Sequence, residues 1–277
     1  GTYNRTNPFD LKNSGVVIDF NGVASGMTIA GDYWYLRGFD VTNSSDGNKG
    51  IQVSGSHNVL DQINTYYNGN TGIQISRYKG SDIDKSDDWP AYNTILNCTS
   101  FLNADSGHED ADGFAAKLTI GDGNVFDGCI AAYNADDGWD FFAKSESGPI
   151  GQVIIKNSVA YKNGYLIADA NGNLDVTGTE FTGNGNGNGF KMGGENIKGY
   201  HIVMNSYAFL NKSNGIDCNS CPDIQVYNCI SYNNGGIVNG DAKANVRFQS
   251  AATQTAFRAR NLISFKTDIL DVDENLK

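Results

Sequence analysis

Proline is nearly missing from this chain, with 4 residues in 277 against 34 glycines. Long apolar runs are missing too. No stretch approaches the ~20 consecutive apolar residues that a membrane-spanning helix needs, and the opening "GTYNRTNPFD" has no apolar core of a secretory leader. Basic residues are outnumbered, 20 Lys and Arg against 31 Asp and Glu, for a formal net charge of -11. Nucleic acid is therefore not an expected partner, because binding phosphates takes clustered Lys and Arg. Any other polyanion would be repelled as well, unless a cation stood between it and the protein. Cysteine is scarce and odd in number, and Cys98, Cys129, Cys218, Cys221 and Cys229 form no tight disulfide framework. The pair in "CNSC" lacks the second pair of ligands that a structural zinc site requires. No amphipathic stretch is long enough for a useful helix. What is present is 39% hydrophobic, which suits one globular unit with a real core.

A repeat organises that content. The segments "QINTYYNGN", "ILNCTSFLN", "FDGCIAAYN", "IKNSVAYKN", "VMNSYAFLN" and "VYNCISYNN" share a short apolar run, Asn or Gly, five small or apolar residues, then Asn. The anchors are Asn64, Asn97, Gly128, Asn157, Asn205 and Asn228, and the second Asn falls at Asn70, Asn103, Asn134, Asn163, Asn211 and Asn234. Fainter copies, "LRGFDVTNS" and "ARNLISFKT", predict an all-β parallel β-solenoid of about eight or more coils. Coils stack ~4.8 Å apart, so equivalent positions form columns. Asn suits a column because its amide donates to one neighbour and accepts from the other. Cys98, Cys129 and Cys229 follow their anchors directly and read as small interior residues, like Thr65, Ser158 and Ser206 in the other copies.

A second strand follows each Asn pair: "KGIQV", "TGIQI", "DGFAA", "DGWDF", "NGFKM" and "NGIDC". The residue after each Gly is Ile, Phe or Trp and turns inward, while the next one turns toward solvent. Trp139 is thus core before it is a sugar platform. The outward column reads Gln52, Gln74, Ala115, Asp140, Lys191, Asp217, and the column before the Gly reads Lys49, Thr71, Asp112, Asp137, Asn188, Asn214. Asp112 and Asp137 should then stack as exposed like charges ~5 Å apart, with Asp136 and Asp140 crowding the same spot. Such a cluster costs stability unless a cation fills it. Ca²⁺ accepts six to eight oxygens in loose geometry, whereas zinc would want His or Cys. Lys191 has two readings: a surface ion pair worth ~0–1 kcal/mol, or a base whose proton affinity is lowered by a metal and raised by the carboxylates.

The motifs "DADGFAAK", "ADDGWDFFAK" and "GNGFKMGG", with Asp112 and Asp136 separated by 24 residues, resemble the catalytic core of family 9 polysaccharide lyases. The resemblance covers at least Asn97 to Asn228. It implies a right-handed parallel β-helix that cleaves pectic polysaccharides by β-elimination with Ca²⁺. It places Asp112, Asp136, Asp137 and Asp140 at the calcium-ligand positions and Lys191 at the position of the base. The segment before Lys191, "LIADANGNLDVTGTEFTGNGNG", is longer than the family pattern and is expected to reshape that side of the cleft.

The chemistry of the residues is compatible. A uronate has an acidic C5 proton, a cation on its carboxylate stabilises the carbanion-like transition state, and a neutral Lys191 can take the proton. Lys117, Lys144, Arg77 and Asp217 are the further candidates for binding substrate, the three cations by pairing with flanking uronates. His108 is expected to line a loop. The expected function is calcium-dependent lysis of pectate, with homogalacturonan favoured over the rhamnogalacturonan I backbone. Two other classes compete: a hydrolase of the same polymers working through paired carboxylates, and a non-catalytic, calcium-pinned uronan-binding solenoid. A single catalytic domain over residues 1–277 is expected, monomeric, with no nucleic-acid or membrane partner and secreted as its substrate class demands. Truncation at one or both ends is allowed for, since the chain stops at "DENLK" soon after a strand-like unit and solenoids need polar caps.

Overall fold

A computed structural model of the chain describes residues 15–78, 86–235, 237–238, 241–249 and 251–267. Its strands are short, most of them two to four residues, because each coil turns sharply at residues in the left-handed backbone region. Gln62, Asn97, Asn157, Asn205 and Asn228 have φ between 50° and 56°, and Gly128 has 65°. Asn and Gly are the residues that enter this region at least cost. The strands stack in parallel, in an 8-stranded sheet and a 15-stranded sheet. The larger sheet is two rows of strands meeting along that bend. The rows are fused where Gln225–Tyr232 runs past the corner and pairs with both Ile202–Met204 and Tyr207–Phe209. One strand per coil in the smaller sheet gives eight coils among the described residues, the expected parallel β-helix.

The interior is a stack of columns. Met27, Ile51, Ile73, Phe114, Trp139, Phe190, Ile216 and Val246 are in register on successive strands. Trp139 is fully buried between Phe114 and Phe190, with ring centroids 4.9 Å away on each side. Cys98, Cys129 and Cys229 are buried free thiols behind their anchors, and Cys218 and Cys221 are also free.

An asparagine ladder closes one corner. Asn68 donates through Nδ2 to Asn103 Oδ1 at 2.9 Å, Asn103 to Asn134 at 2.9 Å, Asn134 to Asn163 at 3.0 Å, Asn163 to Asn211 at 2.9 Å, and Asn211 to Asn234 at 2.8 Å. The first rung corrects the sequence alignment. Gln62 and Asn68, not Asn64 and Asn70, occupy the repeat positions, since Asn64 pairs with Thr99 inside a strand. Ile63, not Thr65, is accordingly the counterpart of Cys98.

The segment before Lys191 forms an antiparallel hairpin, Tyr165–Ala168 with Thr179–Thr182. Leu166, Ile167, Leu174, Val176 and Phe181 form a second apolar cluster with Tyr66, Tyr67, Phe101, Leu102 and Ala135 of earlier coils. Val176 N donates to the Tyr67 hydroxyl at 3.3 Å, so the hairpin folds back over the coils that precede it.

Candidate active site

Four short strands carry the cluster: Phe114–Ala116, Trp139–Asp140, Phe190–Lys191 and Ile216–Asp217. Their register places Ala115, Asp140, Lys191 and Asp217 side by side, as the glycine alignment predicted. The residues one step before each Gly form a second column tied by hydrogen bonds. Thr71 Oγ1 donates to Asp112 Oδ2 at 3.3 Å, Asp137 N to Asp112 Oδ1 at 3.3 Å, and Asn188 N and Nδ2 to Asp137 Oδ1 at 2.7 and 2.8 Å. Asp136, one residue further back, accepts from Asn186 N at 2.6 Å.

These carboxylates are not on the solvated surface that period-two alternation predicts. Asp112 and Asp137 are 0% exposed, Asp140 3% and Asp136 8%. The reason is cover: residues 183–188, which follow the hairpin, lie across Asp136, and two lysines lie across the rest. Lys117 Nζ stands 2.7 Å from Asp112 Oδ2 and 2.8 Å from Asp140 Oδ2. Lys191 Nζ stands 3.0 Å from Asp137 Oδ2 and 3.6 Å from Asp140 Oδ1, and 5.7 Å from the centre of the Phe142 ring. Lys117 is therefore part of the carboxylate cluster itself.

Burial pushes the Asp112 carboxyl up to about 7, against the pull of Lys117 and with the push of Asp140 and Asp137. Burial, and then the charge of Asp137, also raises Asp136 well above its ordinary range. For Asp140 burial is outweighed by Lys117 and Lys191, and the net direction is down. Burial pulls Lys191 down, but Asp137 and Asp140 outweigh it and hold the ammonium protonated.

The donor set fits a hard divalent cation. Asp112, Asp136 and Asp137 each offer an oxygen within 4.8 Å of the others. Asp137 Oδ2 and Asp140 Oδ1 are buried without a hydrogen bond, held only by their ion pairs with Lys191. All-oxygen donors crowded in this way suit Ca²⁺, whose six to eight ligands tolerate irregular placement. Asp140 stands outside the trio, where its oxygens face both lysines.

The remaining sequence candidates fall into two groups. Arg77 and Lys144 line a groove of about 350 Å³ with Lys49, Gln52, Gln74 and Thr119, on the side of the earlier coils. Asp217 is in register with Lys191 but buried, its oxygens engaged by Asn219 N and Asn214 Nδ2 at 2.7 Å each. His108 packs its ring on Phe181 at 5.4 Å, a loop-lining position. Asn186 and Asn188, which orient two of the carboxylates, were missed as site residues. Only the glycine alignment, which puts Asn188 in the Asp137 column, hinted at one of them.

Known proteins resemble this chain in sequence and in fold. Pectate lyase L of Thermoclostridium stercorarium is 42% identical over 253 residues, 91% of this chain and 19% of that protein. Pectate lyase L of Paenibacillus polymyxa (strain SC2) is 47% identical over 226 residues, 79% of this chain and 47% of that protein. The chain thus spans less than half the length of either relative. The crystal structure of pectate lyase Pel9A superimposes with a TM-score of 0.65 at 31% identity, covering 94% of this chain and 64% of that one. A rhamnogalacturonan lyase shares the fold, with a TM-score of 0.61 at 19% identity, covering 89% and 66%. A family model described as a Pel9A-like, right handed beta helix region matches residues 2–249. Since that match runs through every carboxylate and lysine of the cluster, the chain belongs to the Pel9A-like right-handed β-helix family.

Proposed function

We propose that the chain is a calcium-dependent pectate lyase that cleaves homogalacturonan by β-elimination, with Lys191 as the base. The observation that carries this reading is the Lys191 amine, 3.0 Å from Asp137 and in register with Asp140, at the edge of three converging carboxylates. The relatives named pectate lyase support the substrate class.

Asp112, Asp136 and Asp137 would hold the calcium ion with Asp140 beside them. When bound, it supplies a positive charge for the uronate carboxylate and stabilises the charge that develops at C5. Lys191 removes the C5 proton, the C5–H electron pair becomes the C4=C5 double bond, and the C4–O bond breaks with the leaving oxygen protonated from water. For this Lys191 must be neutral. Engagement of its neighbouring carboxylates by a cation weakens the attraction that keeps its proton on. Lys117 ties Asp112 to Asp140 and fixes the spacing between two coils. Arg77 and Lys144 face the groove and pair with flanking uronates.

In this reading the protein is a single catalytic solenoid, acts as a monomer and works outside the cell on a polymer too large to be imported. The test is ultraviolet absorbance of the unsaturated product. Purified homogalacturonan should give it with calcium and not with chelator, and rhamnogalacturonan I should give little. New reducing ends without unsaturation would overturn the reading in favour of hydrolysis, and tight uronan binding without product would favour a binding solenoid.

A further inference from the structure

Residues 183–188 bridge the inserted hairpin and the strand of Lys191. They are held on two sides. On one, Asn184 N and Gly185 N donate to His108 O at 2.8 and 3.0 Å, and Lys212 Nζ donates to the carbonyls of Gly183 at 2.8 Å and Gly185 at 2.6 Å. On the other, Asn186 N donates to Asp136 Oδ1, and Asn188 N and Nδ2 donate to Asp137 Oδ1. The Lys212 stem lies in a slot that only glycine permits. A Cβ on Gly164 would sit 2.5 Å from Lys212 Cβ, and one on Gly187 2.8 Å from it, and both glycines have left-handed φ, 84° and 75°. Gly185 is similarly pinned, since a Cβ there would lie 2.5 Å from Ala135 O and 2.6 Å from Glu109 O.

We propose that Lys212 is a positioning residue for the cation site. By fixing the carbonyls of Gly183 and Gly185 it holds the N–H groups of Asn186 and Asn188 on one oxygen each of Asp136 and Asp137. That leaves the other oxygen of each carboxylate available to a cation, which Asp112, Asp136 and Asp137 would hold. Lys212 touches neither substrate nor cation in this scheme, and the proposal rests on the calcium reading given above.

Charge and positioning predict opposite signs. Lys212 carries a positive charge close enough to Asp136 for the two to interact, so by electrostatics alone its removal should tighten binding of a divalent cation. If Lys212 acts through the segment it holds, its removal should weaken binding, by about 10- to 100-fold as for other groups that orient metal ligands. The experiment is calorimetric titration of the full chain with Ca²⁺, in parallel with thermal unfolding in chelator, for wild type, Lys212→Met and Lys212→Gln. Lys162→Met, which removes the hairpin's ion pair to Glu180 and leaves residues 183–188 untouched, is the control. Weaker Ca²⁺ binding in either folded Lys212 variant, with kcat recovered at saturating Ca²⁺ and the control unchanged, is the expected result. A Kd that is unchanged or lower overturns the proposal, even if the chelator-treated protein melts earlier. Failure of the wild type to bind Ca²⁺ would instead overturn the calcium reading itself.

Discussion

Asp140 and Lys191 are Cα partners on adjacent strands although 51 residues separate them in the chain. The intervening residues include an entire hairpin, yet the amine and the carboxylate arrive on one line because both follow a glycine by two residues.

Replacing Lys191 by Ala should reduce product formation by at least about 10³-fold, the scale of losing a positioned base. Ca²⁺ affinity should stay the same or rise, because an ammonium beside the ligands is gone. Calorimetry and ultraviolet absorbance on the same preparation check this. Activity within tenfold of wild type would remove Lys191 from the chemistry.

Lys117→Met should behave differently. It strips the ammonium shared by Asp112 and Asp140, and leaving buried carboxylates unpaired costs about 3–5 kcal/mol. The loss should be largest in chelator and mostly recovered in saturating Ca²⁺. Paired thermal melts of wild type and variant, with and without calcium, measure it.

The cation-free protein should lose stability as pH rises from about 4 to 7. The folded-state value of Asp112 is raised from 3.8 to about 7, and Asp136 is raised as well. Across that window the folded state therefore binds more protons than the unfolded chain, and ΔG of unfolding falls with pH. Asp140 is shifted down, so its contribution disappears only in stronger acid. Added Ca²⁺ should reverse the slope, because binding requires the ionised carboxylates. Melting temperatures at pH 5 and pH 8, in chelator and in calcium, decide the sign.

Asn163→Ala breaks the ladder in mid-stack. Its Nδ2 donates to Asn211 and its Oδ1 accepts from Asn134, both fully inside the protein. Stranding buried partners at both rungs should cost about 2–4 kcal/mol. Denaturant unfolding should show that loss with no change in the slope.

The columns were legible because glycine followed by a large apolar residue recurs in seven of the eight coils, with Asn245 before Val246 in the last, and fixes a register for its neighbours. The first anchor was misread because "QINTYYNGN" contains three asparagines, and Asn64 and Asn70 match the spacing as well as Gln62 and Asn68 do. Gln62 carries the left-handed turn there with φ 56°, so the position selects for a backbone conformation and not for one amide. The burial of the carboxylates was not legible at all. It depends on a hairpin without the repeat pattern folding back over earlier coils, and on lysines whose long stems reach sideways.

Asn163 and Asn211 lie 48 residues apart and Asn211 and Asn234 only 23, yet the rungs between them measure 2.9 and 2.8 Å. The ladder reaches the glycines of the site directly: a Cβ on Gly138 would meet Asn163 Nδ2 at 2.8 Å, and one on Gly189 would meet Asn211 Nδ2 at 2.9 Å. The offset between carboxylate and amine is thus gauged from the interior, one amide at a time, and is insulated from changes in loop length. Loops around this face can lengthen, shorten or be exchanged to suit a different polymer while the reacting groups keep their separation.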